Sequence, residues 1–154
     1  MNIQTGLKLS QQEVISILNR FDDSSDTPLS QGLDFVSYGK KLSDFANFVI
    51  ACEEDTMIGF IAYYLNEEGR FAYVPQVVVH KVGRHKGVGH AMFSAMYDSV
   101  KSYYSTIRLE VLKANDNAHK FYSREGFVEI EDHNERLLLE KKLWKCIADR
   151  SMLI

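Results

Sequence analysis

The chain has 154 residues, a length typical of one domain, and 45% of them are hydrophobic, which is enough to bury a substantial core. Its net charge of -3 and sequence pI of about 5.9 argue against nucleic acid as a partner. No apolar run is long enough to cross a bilayer and no basic-then-apolar leader opens the sequence, so we expect no membrane contact and a cytoplasmic protein. Cys52 and Cys146 are too few for a disulfide framework and lack zinc-ligand spacing, so we expect thiols.

The first part of the chain, residues 1–46, is predicted to be mainly helical. Ser10 followed by Glu13 has the spacing of a capping box, and apolar residues then recur at helical spacing until about Phe21. The acidic stretch 22–28 is typical of a loop. Its carboxylates could attract a cationic amine, but a solvated connection is the commoner role of such a cluster.

A second helix is predicted to open at residues 30–33. Apolar residues at roughly helical spacing would form its buried face: Leu33, Val36, Tyr38, Leu42 and Phe45.

Three strands are predicted next. The apolar runs 48–52 and 58–64 read as a hairpin, and residues 70–79 form a longer third strand. Pro75 lies inside this third strand, and because proline cannot donate to a ladder it marks an edge or a bulge.

The remaining chain alternates helices and strands. The predicted elements are a helix at 90–104, a strand at 106–112, a helix at 115–125 capped by Asn115 or Asp116 and ended by Gly126, and a hairpin of 127–131 with 136–143. Within the first of these helices, Met92 and Met96 are expected in the core. The tail from Trp144 is apolar enough to pack on the body or on a partner.

The most informative stretch runs from Val77 to Gly89. A β-branched run ends in a basic, glycine-rich turn, and a helix follows. The first turn of a helix has backbone N–H groups without intrahelical partners, and together with the positive end of the helix dipole they form an anion site. Gly87 and Gly89 carry no Cβ, so a phosphate could approach the main chain closely. The pattern predicts a diphosphate cradle, with an ordinary strand-to-helix turn as the alternative; the residues fit neither a P-loop nor a dinucleotide fingerprint.

Two segments resemble the motifs of the GNAT superfamily, the acyl-CoA-dependent N-acetyltransferases. Residues 84–89, Arg-His-Lys-Gly-Val-Gly, match its motif Arg/Gln-x-x-Gly-x-Gly/Ala, and Val79-His80 matches the preceding strand end. Residues 115–127 resemble its Asn-x-x-Ala-x-x-Leu/Phe-Tyr-x-Lys/Arg-x-Gly-Phe. The order and spacing are those of the family, over roughly residues 47–143.

The resemblance implies a single-domain α/β (α+β) fold over residues 1–154. Its central sheet would be mixed and mostly antiparallel, with about six or seven strands splayed in the middle and about four flanking helices. Residues 1–46 would form a helical acceptor-side segment, 47–143 the core with the acetyl-CoA site, and 144–154 a C-terminal tail.

The resemblance also implies an acyltransferase that moves acetyl from acetyl-CoA to a primary amine of a small molecule, by direct attack in a ternary complex. An amino sugar or an amino acid derivative is the kind of acceptor expected. No metal is expected, and the protein would be a monomer or a homodimer. The expected coenzyme-binding residues are Val77, Val78, Val79, Arg84, His85, Lys86, Gly87, Val88, Gly89, His90, Asn115 and Tyr122.

Acetyl transfer to an amine also needs proton transfers. Resemblance makes Tyr122 the general acid, and a phenol with a pKa near 10 is suited to protonating a departing thiolate of pKa about 8.5. Family members with a carboxylate base carry it at the position of Tyr73, so Glu110 or His133, acting through water, is the candidate base here. The acceptor site would be lined by Tyr73, Phe35 and Tyr38.

Three alternatives remain open from the sequence. The chain could be a non-catalytic acyl-CoA-binding or regulatory module, a nucleotide-binding domain that uses the same cradle, or a protein or peptide N-acetyltransferase.

Overall fold

A computed structural model of the protein describes residues 1–24 and 28–143. These residues form seven strands and four α-helices, in the order β1 (Asn2–Leu7), α1 (Gln11–Arg20), α2 (Phe35–Phe45), β2 (Asn47–Glu53), β3 (Thr56–Asn66), β4 (Phe71–Val79), α3 (Val88–Val100), β5 (Thr106–Leu112), α4 (Asp116–Arg124), β6 (Val128–His133) and β7 (Arg136–Lys142). The strands belong to one sheet of order β1-β2-β3-β4-β5-β7-β6.

The sheet is mixed, because β4 and β5 pair in parallel whereas β1–β2, β2–β3, β5–β7 and β6–β7 pair antiparallel. The predicted α/β class, strand number and helix number are therefore confirmed. The described residues divide into two compact units: a first unit of residues 1–24, 28–64 and 76–96, and a second unit of residues 65–75 and 97–143. The assignment of the whole chain to a single domain stays a prediction.

The core of the first unit joins α1 and α2 to strands β2 and β3. Fully buried side chains from these elements form one cluster, in which the Phe21 ring lies 5.5 Å from that of Phe60 and the Phe48 ring 6.4 Å from it. Both halves of the predicted capping box are present at the start of α1: Glu13 N–H donates to Ser10 Oγ (3.2 Å) and Ser10 N–H to Glu13 Oε1 (2.9 Å).

The second helix begins later than predicted, at Phe35, with Asp34 as its N-cap. Ser30 does not open it because Asp22 holds that residue: Ser30 N–H donates to Asp22 Oδ1 (2.7 Å) and Ser30 Oγ to Oδ2 (2.9 Å). Residues Leu29–Gln31 form only a single 3-10 turn. The two hydrogen bonds from Ser30 to Asp22 therefore hold together the loop that precedes α2.

The predicted apolar face of α2 is also wrong in part. Leu42 is buried, but Val36 is 61% and Phe45 65% exposed. The buried side of the helix is centred instead on Gly39 and Leu42, because a Cβ on Gly39 would lie 2.8 Å from Ile15 Cγ1 of α1. The close approach of the two helices at this glycine sets which face is covered.

Strand β1 was not predicted, since residues 1–46 were expected to be helical apart from loops. It pairs antiparallel with β2, and its register shifts between Gln4 and Leu7, where Gly6 has a φ of +67°. Six residues with weak local preference become a strand because a partner strand supplies the ladder.

The second unit is built on β5, whose inward residues Ile107, Leu109 and Val111 are buried in strict alternation. This strand pairs with β7 over seven residues, from Thr106 to Leu112. The strand and the final hairpin confirm the predicted elements. Residues 144–154, including Cys146 and the predicted apolar tail, lie outside the described residues.

Helix α3 begins at Val88 and ends at Val100, so it starts two residues earlier and ends four residues earlier than predicted. Met92 and Met96 are fully buried, as expected. Tyr103 lies beyond the helix and is 71% exposed. The end of the helix was predicted too late because Tyr103 lies at helical spacing from the apolar residues before it.

Candidate functional site

In the first unit, the segment between β4 and α3 is the predicted diphosphate cradle. His80 N–H donates to Ile58 O (2.8 Å), and His80 Nδ1 accepts from Val82 N–H (3.3 Å), which caps a 3-10 turn at Lys81–Gly83. Helix α3 starts at Val88, and Ala91 N–H makes the first-turn bond back to Gly87 O (3.0 Å). The strand–loop–helix arrangement that an anion site requires is present.

The backbone of this loop is open at Gly87. Its φ is +78°, and a Cβ added there would meet nothing within 4 Å. His85 also adopts a positive φ, +63°, and the side chains of Arg84, His85 and Lys86 are exposed. Positive charge and an uncovered main chain therefore coincide at the start of α3.

The pairing between β4 and β5 covers only the first three residues of β4. Only Phe71, Ala72 and Tyr73 pair with that strand, and Pro75 follows two residues later. Proline has no N–H, so it suits a position where ladder pairing stops. Val77 and Val79 are half-buried and Val78 is buried; their roles toward a coenzyme stay predictions.

Two of the three aromatic residues predicted for the acceptor site, Phe35 and Tyr38, lie in the first unit. Phe35 and Tyr38 are half-buried and pack against its buried cluster, and Tyr38 Oη donates to Gln76 Oε1 (3.2 Å). Sequence reasoning missed Tyr64, whose buried hydroxyl has no hydrogen-bond partner within the described residues. Burial raises the pKa of this tyrosine.

In the second unit, α4 carries the predicted acid, Tyr122. Asn115 caps the helix by accepting from Ala118 N–H at its Oδ1 (3.1 Å), as expected from the sequence. At the other end, Phe127 N–H donates to Tyr122 O (2.9 Å) and Gly126 N–H to Ser123 O (3.1 Å). Gly126 has a φ of +94°, so the helix ends in a Schellman motif.

Two aromatic neighbours pack against the ring of Tyr122. It stands edge-on to Phe121 and Phe127, with centroids 5.2 and 5.4 Å away. Burial, and then the carboxylate of Glu125, raise the pKa of Tyr122 well above its usual value. A phenol is protonated at physiological pH even at its ordinary pKa of about 10, which is the state a general acid needs, and the raised pKa makes Tyr122 a weaker acid than a free phenol.

A second tyrosine fastens the end of α4. Tyr97 Oη donates to Glu125 Oε1 (3.0 Å), and Lys141 Nζ donates to Glu125 O (2.6 Å) while lying 4.9 Å from the centroid of the Tyr97 ring. Burial, followed by the charge of Glu125, raises the pKa of Tyr97. These contacts hold the turn that follows Tyr122.

Three other predicted residues form a hydrogen-bonded chain in the second unit. Tyr73 Oη donates to Glu110 Oε1 (3.1 Å), Glu110 Oε2 lies 2.8 Å from His133 Nδ1, and His133 Nε2 lies 2.7 Å from Glu131 Oε2. We call these four residues the relay cluster. The bonds to Glu110 and Glu131 raise the pKa of His133, and the bond from His133 is the main cause of the lowered pKa of Glu110.

Glu131 is the member of the relay cluster that sequence reasoning missed. Glu131 and His133 stand two residues apart on β6, a spacing that puts both side chains on one face of a strand. That spacing was the available signal. Within residues 1–24 and 28–143, no group of His, Cys, Asp and Glu side chains is arranged to hold a metal ion.

The mixed seven-stranded sheet, with a glycine-rich loop between β4 and the start of α3, is the arrangement that the family resemblance implies. A family model described as the acetyltransferase (GNAT) family matches residues 13–127, and the chain belongs to that family. It is accordingly an acyltransferase. No helix in the described part of the chain is both long enough and apolar enough to span a membrane.

Solved structures share this fold at low sequence identity. The PaiA N-acetyltransferase of Thermoplasma acidophilum, in complex with coenzyme A, is 20% identical with a TM-score of 0.73, covering 92% of this chain and 99% of that one. The ribosomal-protein-S18-alanine N-acetyltransferase of Escherichia coli is 14% identical with a TM-score of 0.75, covering 92% and 93%. The ribosomal-protein-alanine N-acetyltransferase of Brucella melitensis is 14% identical with a TM-score of 0.70, covering 93% and 100%. A search of curated protein sequences finds no match.

Proposed function

We propose that the protein is an N-acetyltransferase that moves the acetyl group of acetyl-CoA to a primary amine of a small molecule. The observation that carries this proposal is the family match over residues 13–127, because that range contains both sequence motifs, 84–89 and 115–127. The C–N bond to the amine forms and the C–S bond of the thioester breaks. The amine loses one proton and the departing thiolate gains one.

The diphosphate of the coenzyme would lie at the start of α3. The open main chain at Gly87 and the exposed cations of Arg84 and Lys86 support this assignment. The amides of Val77 and Val79 would pair with the acetyl and pantetheine groups, since ladder pairing of β4 with β5 ends at Tyr73. The solved structure of a similar fold with coenzyme A supports the choice of ligand.

Tyr122 would protonate the thiolate of the departing coenzyme. The phenol is protonated at physiological pH, and the edge-on contacts with Phe121 and Phe127 hold the ring in one orientation. Asn115 would donate a hydrogen bond from its side-chain amide nitrogen to the pantetheine arm, since its Oδ1 already accepts the capping hydrogen bond of α4. Glu110 would take up the proton of the amine, directly or through water.

The acceptor would be a small amine, such as an amino sugar or an amino acid derivative. Phe35, Tyr38 and Tyr73 would line its site. A protein acceptor is the competing proposal, because two proteins of similar fold are named ribosomal-protein-alanine N-acetyltransferases. A cytoplasmic location and a monomeric or dimeric state belong to the same proposal.

The test is release of free thiol from acetyl-CoA by the purified protein with panels of amino sugars, amino acid derivatives and peptides with free N-termini. We expect thiol release that depends on a small amine, and intersecting double-reciprocal lines, because attack is direct. Parallel lines would indicate an acyl-enzyme intermediate, and the half-buried thiol of Cys52 would be the candidate nucleophile. Turnover with peptides alone would replace the small-molecule proposal with the protein one.

A further inference from the structure

The relay cluster is assembled by an irregularity in β6. Glu110 of β5 and Glu131 of β6 are both opposite Leu138 of β7, so their side chains stand on the same face of the sheet. The β6–β7 register shifts between Glu129 and Glu131. Without the extra residue, Ile130 would be opposite Leu138, and Glu131 would point to the other face.

The distances in the relay cluster favour the imidazolium form of His133 between two ionised carboxylates. An ionised carboxylate only accepts hydrogen bonds, and the two ring nitrogens of His133 each lie within 2.8 Å of a carboxylate oxygen. Both nitrogens must therefore donate, which only the imidazolium form can do. Glu110 then accepts from Tyr73 at one oxygen and from a cation at the other, so it is a poor acceptor for a further proton.

We propose that His133 is a positioning residue that acts through Glu110: while its imidazolium bridges Glu110 and Glu131, Glu110 does not take the proton of the attacking amine, and deprotonation of His133 makes it competent. This inference rests on the proposed function of acetyl transfer to an amine. The enzyme is switched on as pH rises through the titration of His133.

The charges around His133 fix the direction of the switch. Glu110 and Glu131 raise its pKa above the ordinary value of 6.5, and Asp132, engaged by Lys113 Nζ at 2.8 Å, and Arg136, opposite His133 on β7, are the other charged neighbours. A raised pKa means that His133 stays protonated to higher pH. Activity is therefore suppressed below that pH and present above it.

The experiment compares kcat/KM of the wild type and of His133→Gln between pH 5.5 and pH 9. At pH 5.5, one unit below 6.5, no more than about a tenth of His133 is neutral in the wild type. The ratio of variant to wild-type kcat/KM cancels the titration of the amine itself. We expect this ratio to rise at least about ten-fold from the alkaline plateau to pH 5.5.

Glu131→Gln is an independent test, and we expect it to leave the fold intact because the Glu131 side chain is 60% exposed. Loss of one anionic partner lowers the pKa of His133, so the rise in activity should move to lower pH. The histidine ring titration, followed by NMR, should move with it. Glu129→Gln on the same strand and His119→Gln on α4 are matched controls that should leave the profile unchanged.

The outcomes separate the two proposals. A ratio that stays constant with pH, or an unchanged profile in Glu131→Gln, overturns the role of His133 while acetyl transfer stands. No thiol release with any amine overturns the proposed function, and the inference with it.

Discussion

Replacing Tyr122 with phenylalanine is expected to lower kcat by about 10²–10⁴-fold, the usual contribution of a positioned general acid. The ring keeps its edge-on contacts with Phe121 and Phe127, so packing is preserved and only the proton donor is lost. The thiolate must then leave without a proton from the enzyme. Because the phenol acts on the departing sulfur, the dissociation constant for acetyl-CoA should be unchanged within error.

Tyr103→Phe is the matched control for this variant. It removes another phenol of the second unit, one that is 71% exposed and is not assigned to the chemistry. It should retain most of the wild-type kcat. Full turnover by the Tyr122→Phe enzyme would show that protonation of the thiolate comes from elsewhere.

Gly87→Val is the second variant for which we expect a large effect, here on coenzyme affinity. Valine at a φ of +78° is strained, and its methyl groups would fill the open space that the diphosphate is proposed to occupy. Loss of one or two charge-assisted hydrogen bonds, each contributing about 1.5–3 kcal/mol, would raise the dissociation constant by about 10–100-fold or more. Isothermal titration with acetyl-CoA measures this change.

The strain itself is controlled for by Gly6→Val. Gly6 has a similar φ, +67°, and a Cβ there also meets nothing within 4 Å, but it lies on β1. Both variants should lose about 1–3 kcal/mol of unfolding free energy, whereas only Gly87→Val should lose affinity. Wild-type affinity in Gly87→Val would remove the diphosphate from the start of α3.

Local signals predicted the elements whose causes are local. The capping box at Ser10 and Glu13, the Asn115 cap and the turn at Gly126 all appear as the sequence indicated, because each depends on residues three to five positions apart. The strand–loop–helix at residues 77–89 was predicted for the same reason. The residues of this loop could therefore be named before any coordinates.

The errors arose where distant partners decide the structure. Strand β1 exists because β2 pairs with it, and α2 starts at Phe35 because Asp22 binds Ser30 from eight residues away. The exposure of Phe45 follows from the contact of Gly39 with α1. A helical or alternating pattern of apolar residues does not reveal any of these contacts.

Members of the relay cluster could be predicted individually from the sequence, but their assembly into one cluster could not. Tyr73, Glu110 and His133 were each candidates, but the shifted β6–β7 register that sets Glu131 on their face comes from strand pairing. Likewise, the burial that raises the pKa of Tyr122 depends on packing that sequence does not give. Roles were suggested by the family resemblance and by residue type, whereas statements about pKa required geometry.

Titration of the wild-type protein with acetyl-CoA, ATP and NAD tests the central claim most directly. If the main chain after Pro75 binds a pantetheine arm and the start of α3 binds its diphosphate, acetyl-CoA should bind at least about ten-fold more tightly than ATP or NAD, since each lost amide hydrogen bond contributes about 1 kcal/mol. Absence of acetyl-CoA binding, or equal affinity for all three ligands, would contradict the account.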